Sequence, residues 1–171
     1  MKQLISSLAL AVVFSAALSA TTIRKLDLDQ LVDESQLIVH GRVLDTRSYI
    51  MPERGWVMTD TRIQVLDAIK GKAGETVVIT ELGGEVGDLG MAVPGTARFR
   101  AGEEAVVFLK KVGDKWRTSG LVQGKFPVVT ERGEKIALPA ISLGDDGNRI
   151  PLRTLVERIR TSQGRDRRVI R

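Results

Sequence analysis

The sequence predicts an all-β fold: a small, closed or nearly closed barrel of five strands, with a short helix before it and another after it. Three observations carry this. Residues 56–69 alternate in polarity over a length that only a long, half-buried strand explains. Three further runs rich in Val, Ile and Phe, and a fourth more polar run over residues 115–122, recur between turns, and 17 glycines are available to build those turns. Only two short stretches show helical spacing, which is too few for a layered α/β arrangement.

The elements follow in order. Asp27 is placed to cap a short helix, with Gln30 completing a capping-box pattern. Leu28, Leu31 and Val32 then share one face. Residues 37–44 read as the first strand, followed by a turn-rich stretch containing Pro52 and Gly55. In the long second strand, Val57, Thr59, Thr61, Ile63, Val65 and Ile69 fall on the buried side. Met58, Asp60, Arg62, Gln64 and Ala68 fall on the wetter side. Residues 70–74 turn into a third strand, 76–80, and a glycine-rich stretch, 82–95, follows. Residues 104–111 and 115–122 are the fourth and fifth strands, joined through Gly113. Residues 128–138 form a further hairpin around Arg132 and Gly133. Pro151 opens a last helix with the stripe Leu152, Leu155, Val156 and Ile159, and the chain frays from Arg160 onward. The predicted core is Ile38 or Val39 with Val43, Ile63, Val65, Val77, Ile79, Val107 and Leu109. A Greek-key barrel of the oligonucleotide/oligosaccharide-binding (OB) type needs about this much chain.

Composition narrows the chemistry. The chain has no cysteine, which excludes disulfides, cysteine–zinc sites, thiolate catalysis and iron–sulfur clusters. Its single histidine, His40, cannot build a two-histidine metal site, so no cofactor is expected. The net charge of +5 is local: residues 151–171 carry seven arginines against Glu157 and Asp166, and residues 1–150 are balanced. A neutral body lacks the basic face that phosphate contact requires, so nucleic acid is not an expected partner.

The first residues read as an address. Met1 and Lys2 precede an uncharged apolar run that ends in Ala17, Leu18 and Ser19, the layout of a cleaved secretory signal. The run is shorter than the ~20 apolar residues of a membrane span. The expected organisation is a signal peptide over residues 1–19, a barrel domain over 20–148, and a C-terminal helix with a basic tail over 149–171. Localisation is expected to be periplasmic or secreted, without stable membrane insertion after processing.

Each candidate for chemistry has a plainer reading beside it. His40 alternates with Ile38 and Arg42 on a strand, and no Gly-x-Ser-x-Gly elbow accompanies it. Glu103 and Glu104 are adjacent on a strand and so point to opposite faces. Asp145, Asp146, Gly147 and Asn148 lack the spacing of a calcium loop and read as a turn. Trp56 and Trp116 are stacking candidates in a chain whose few aromatics are needed for the core. The glycine-rich stretch lacks the Gly-Lys-Ser/Thr of a phosphate loop and reads as a loop with several positive φ angles. On a barrel such a loop is a site for partner contact, here through Gly83, Gly84, Glu85 and Gly87.

Residues 35–127 carry a family layout. Ser35-Gln36-Leu37-Ile38-Val39-His40-Gly41-Arg42-Val43 opens it and the long strand ending Ala68-Ile69-Lys70-Gly71 follows. Leu82-Gly83-Gly84-Glu85-Val86-Gly87, the hairpin from Gly102 to Leu109, and Gln123-Gly124-Lys125-Phe126 complete it. This order resembles the tissue inhibitors of metalloproteinases (TIMP) and the netrin-like modules, and also a broad set of uncharacterised exported bacterial proteins. The resemblance implies an OB-fold barrel behind a signal peptide. It also implies a partner-binding role for the mature N-terminus, here Ala20, Thr21 and Thr22, and an exported zinc endopeptidase or other envelope protein as partner. The inhibitors begin their mature chain with a disulfide-bonded cysteine, which this chain lacks. The resulting expectation is a non-enzymatic exported binding module. An exported hydrolase built around His40 or scattered carboxylates, and an anion- or polysaccharide-binding barrel, are the alternatives.

Overall fold

Asp27 caps the first helix, α1 (Leu28–Glu34). Its carboxylate accepts the Gln30 N–H at 2.8 Å, and the Gln30 side chain accepts the Asp27 N–H at 3.1 Å. The reciprocal pair occupies donors that a helix start otherwise leaves to water. Leu28, Leu31 and Val32 are buried together, as their spacing predicts. The computed structural model describes residues 24–140 and 148–169. Residues 1–19, Ala20, Thr21, Thr22, and Asp145, Asp146 and Gly147 lie outside the described residues.

Strands β1 (Leu37–Met51) and β2 (Trp56–Lys70) form one antiparallel hairpin that ends at the pair Met51↔Trp56. The turn is therefore only residues 52–55, and residues 45–51, assigned by sequence to a turn-rich stretch, are strand. Tyr49 and Ile50 favour extension there, while the Gly55 N–H bonds the Met51 carbonyl at 2.8 Å with φ at 63°. Three register shifts bend the hairpin. Two of them fall at residues 66 and 69 of β2, so Ile69 leaves the face of Ile63 and joins the core under the helices.

β3 (Thr76–Leu82) lies antiparallel to β2. β4 (Gly84–Val86) and β5 (Leu89–Met91) form a separate small hairpin. β6 (Glu104–Val112) returns against β1, and β7 (Lys115–Thr118) against β6. β7 meets β3 in parallel at the single pair Ile79↔Trp116. The order β1-β2-β3-β7-β6 thus leads back to β1, and the large mixed sheet closes partly in a ring.

The fifth strand is shorter than predicted. Gly120 (φ 64°) and Leu121 (φ 60°) leave the extended region, and a 3₁₀ turn (Leu121–Gly124) follows. β8 (Lys125–Glu131) and β9 (Glu134–Ala137) make the predicted hairpin, with φ of 48° at Arg132 and 85° at Gly133 as a two-residue turn requires. β10 (Ile150–Pro151) pairs with β9, so Pro151 closes a strand and does not open the helix. α2 (Leu152–Val169) runs past Arg160, where fraying was predicted. Ser162 is buried and Gln163 donates to the Ile69 carbonyl at 3.2 Å, which ties that turn to the sheet. Among the described residues no helix is long and apolar enough to cross a membrane.

Two cores result. Inside the ring, Leu37, Val39, Val43, Ile63, Val77, Ile79, Ala105, Val107 and Leu109 pack together. Outside it, Ile38, Val106, Phe108 and Phe126 pack with Leu31, Leu155 and Ile159 of the helices. β1 and β6 alternate between the two, which is why Ile38 and Val39 are both fully buried. Val65 packs at the margin of the inner core.

Candidate functional site

The inward positions of the ring change character along its length. Beyond Val43, Ile63 and Ile79 they become Thr46 and Ser48 on β1, Thr59 and Thr61 on β2, and Glu81 on β3. The register sets Thr46 beside Thr61, Ser48 beside Thr59, and Thr59 beside Glu81. These side chains line a cavity of about 590 Å³ at one end of the ring. Its outer wall is residues 93–100, including Arg98, Phe99 and Arg100.

The glycine-rich segment forms the rim. Thr59 Oγ1 donates to the Gly83 carbonyl at 2.6 Å, so Ser48 Oγ, 2.9 Å away, is the donor to Thr59. Gly84 (φ 135°) crosses directly over this pair: a Cβ there would lie 2.2 Å from Thr59 Oγ1 and 2.5 Å from Ser48 Oγ. Glycine is required on both counts. Gly83, Gly84 and Glu85 line the cavity, whereas Gly87 stands at the open tip of the β4–β5 hairpin with nothing around its Cβ position.

Two buried charged groups flank the cavity. Glu81 accepts the Thr118 N–H at 2.7 Å and has Arg117 Nε 3.6 Å away. Burial pushes its carboxyl above the ordinary range, against the Thr118 hydrogen bonding and the arginine. Lys125 pairs with Glu103 at 2.6 Å, donates to the Arg98 carbonyl, and lies 4.8 Å from the Phe99 ring centre. The lysine thus pins the outer wall across the mouth.

The other carboxylate of the Glu103–Glu104 pair points out of the ring, as strand alternation requires. Glu104 Oε1 accepts from His40 Nε2 at 2.7 Å and from Lys135 at 2.5 Å, and Arg42 lies 3.4 Å from Oε2. Burial works to raise this carboxyl, but the bonds from Lys135 and His40 outweigh it and hold it below the ordinary range. Among the described residues, no serine, threonine or tyrosine lines the neighbouring hollow around His40. Trp56 is exposed beneath the Arg54 guanidinium, and Trp116 packs against the inner core.

A third arrangement joins separate parts of the chain. Gln123 Oε1 accepts the Leu26 N–H and Gln123 Nε2 donates to the Arg24 carbonyl, each at 2.9 Å. Next to it, the Val122 N–H bonds the Gly95 carbonyl at 2.8 Å. The 3₁₀ turn therefore holds both the incoming N-terminal segment and the end of the glycine-rich stretch.

No protein-family model, curated protein or solved structure matches the chain. Sequence reasoning singled out the glycine-rich segment for partner contact and did not assemble the cavity floor. Its one available signal was the presence of Thr59 and Thr61 on the otherwise apolar face of β2. Glu81, Glu103 and Lys125 gave none, because each finds its partner only through pairing between distant strands.

Proposed function

We propose that the protein is an exported, non-enzymatic binding module on an OB-type barrel, acting through its mature N-terminus and its glycine-rich segment. Its plan is similar to that of the TIMP and netrin-like modules, and its partner is an exported zinc endopeptidase. The observation that carries this reading is the double hold of the 3₁₀ turn, Gln123 on Arg24 and Leu26 and Val122 on Gly95. The described chain thus enters at the corner where the glycine-rich stretch ends. A five-stranded ring open at one seam is also the plan of the OB type. The engagement of Glu104 by Lys135 and Arg42 as well as His40 favours a structural histidine over a catalytic one.

Chemically, a free α-amino group has a pKa of about 7.7–8 and is partly neutral at pH 7. Its lone pair and the first carbonyl oxygen would then chelate an open zinc position. The test compares protein starting at Thr21 with the same protein carrying one additional N-terminal glycine, assayed against exported zinc endopeptidases of the same organism. Inhibition by the Thr21 form, weakened about tenfold or more by the extension, is the expected result; about tenfold corresponds to ~1.4 kcal/mol. Equal inhibition by both forms, or none by either, overturns it.

A further inference from the structure

β1 runs on well past the end of its ladder with β6. The last bonds on that side join Val43 N–H to the Glu103 carbonyl and Gly102 N–H to the Val43 carbonyl, both at 2.8 Å. Residues 101–102 then turn away. On the other side β1 stays paired with β2 as far as Met51. Backbone groups in an antiparallel ladder face alternate sides. Val57 and Val65 of β2 bond towards β3, so Met58, Asp60 and Arg62 face β1 and engage Tyr49, Arg47 and Asp45. Thr46, Ser48 and Ile50 therefore turn their N–H and C=O groups outward. Among the described residues no hydrogen bond reaches those groups from that side.

We propose that this free edge of β1 binds an extended polypeptide segment of a partner, added to the sheet as a strand with acidic side chains directed into the cavity. Only an extended backbone presents donors and acceptors at the two-residue spacing of Thr46, Ser48 and Ile50. Residues 44–51 contain neither the lysine nor the proline that commonly blunts such an edge, and Leu44 and Ile50 are 42% and 43% exposed. The edge is also the rim of the cavity, since Thr46 and Ser48 line it. Alternate side chains of an added strand enter between the hydroxyl floor and the wall bearing Arg98 and Arg100. Both arginines are exposed and have no ion pair among the described residues, while Lys125 is already matched by Glu103. The free charge of that wall is positive and attracts carboxylates. Glu85, which lines the rim without an ion pair among the described residues, repels them and so directs them to the arginine side. A second copy of this chain fits less well, because pairing two identical edges brings two such walls together.

The site stands on the geometry of β1 and not on the endopeptidase reading, so the glycine-extended form is expected to behave as the Thr21 form does. The test has two stages. Amide hydrogen exchange on the free protein is expected to show fast exchange at Thr46, Ser48 and Ile50 and protection at Asp45, Arg47 and Tyr49. A displayed library of random peptides, roughly 10 residues long to match an ordinary strand, is then selected on the protein. Recovered peptides are expected to be enriched in Asp and Glu at alternate positions and to protect the Thr46, Ser48 and Ile50 amides. They should bind Thr46→Pro at least about tenfold more weakly. Proline at an outward-facing edge position removes no bond to β2, so the fold is retained. As a second variant, Arg98→Glu with Arg100→Glu should abolish the acidic enrichment. Protection of the three amides already present in the free protein overturns the proposal. So does failure to select any peptide, or peptides that bind Thr46→Pro equally well.

Discussion

The Glu81 carboxylate accepts the backbone N–H of Thr118 at 2.7 Å and extends the junction of β3 and β7 beyond its single ladder pair, Ile79↔Trp116. A side chain takes the place of a strand carbonyl at the seam of the ring. The hydrogen bond satisfies a buried donor, but the charge that accepts it is itself buried, and among the described residues its ion-pair partner is Arg117 at 3.6 Å.

This arrangement sets a pH dependence. A carboxyl whose folded pKa is raised holds its proton more tightly in the fold than in the unfolded chain. The fold therefore loses stability as pH climbs from the ordinary value of 4.5 through the raised one, and none beyond it. Glu81→Gln keeps the acceptor and removes the charge. It should melt above the wild type in neutral and mildly alkaline buffer, with the difference vanishing on the acid side of the carboxylate range. Glu81→Ala leaves the Thr118 N–H unpaired and should cost about 1–3 kcal/mol. Thermal unfolding of both variants across pH checks the pair; a Gln variant less stable than wild type at pH 8 would count against a buried charge at the seam.

Glu104 behaves in the opposite sense. Burial raises its carboxyl, but Lys135 and His40 hold it below the ordinary range, so its contribution is present above that range and is lost as pH falls through the lowered value. Glu104→Gln should cost about 1–3 kcal/mol at pH 7, the usual penalty for disturbing hydrogen bonds to a charged group. The gap should close at an acid pH below the lowered value, where both forms are uncharged. Urea unfolding at the two pH values measures it, and a gap of equal size at both would rule out the ionised carboxylate as its source.

How much of this was legible in the sequence follows from the range of each interaction. Asp27 and Gln30 cap their helix within one turn, and the Arg132-Gly133 turn lies between its own strands, so both were readable locally. Strand alternation separated Glu103 from Glu104. The face of Ile69 was not readable, because register shifts depend on the partner strand and leave no local mark. The cavity was hidden for the same reason: Thr46, Thr61, Glu81 and Lys125 come from four strands, and only the pairing of distant strands assembles them.

Gly84 offers a local test of the rim. A Cβ at this residue would overlap Thr59 Oγ1 and Ser48 Oγ, and its φ of 135° is strained for any other residue. At Gly87 the φ of 57° is the same kind of demand, but nothing lies within 4 Å of the Cβ position. Gly87→Ala should therefore cost about 1–2 kcal/mol, the left-handed penalty alone. Gly84→Ala should cost more and also disturb the Ser48–Thr59–Gly83 hydrogen-bond chain. Comparison of the two melting temperatures decides this; equal losses would show that the rim yields without resistance.

The hold of Gln123 on the N-terminal segment connects stability to the proposed contact surface. Both ends of its amide are used, one accepting from Leu26 and one donating to Arg24, and the residue is buried. Gln123→Ala removes these bonds, together with a longer one from Nε2 to the Gly120 carbonyl, and leaves the Leu26 N–H without its partner, a loss of about 1–3 kcal/mol. Gln123→Glu retains an acceptor for Leu26 but cannot donate to the Arg24 carbonyl, so it should fall between alanine and wild type. Release of the segment exposes the peptide bonds after Arg24 and Lys25, which trypsin reads, so cleavage there should quicken in the same order: wild type, Glu, Ala. An arm freed in this way must be ordered again on binding, which weakens association without altering any contact. The three variants should therefore rank identically in tryptic cleavage rate and in loss of partner affinity. Faster cleavage with unchanged affinity would show that the N-terminal segment is anchored for stability alone.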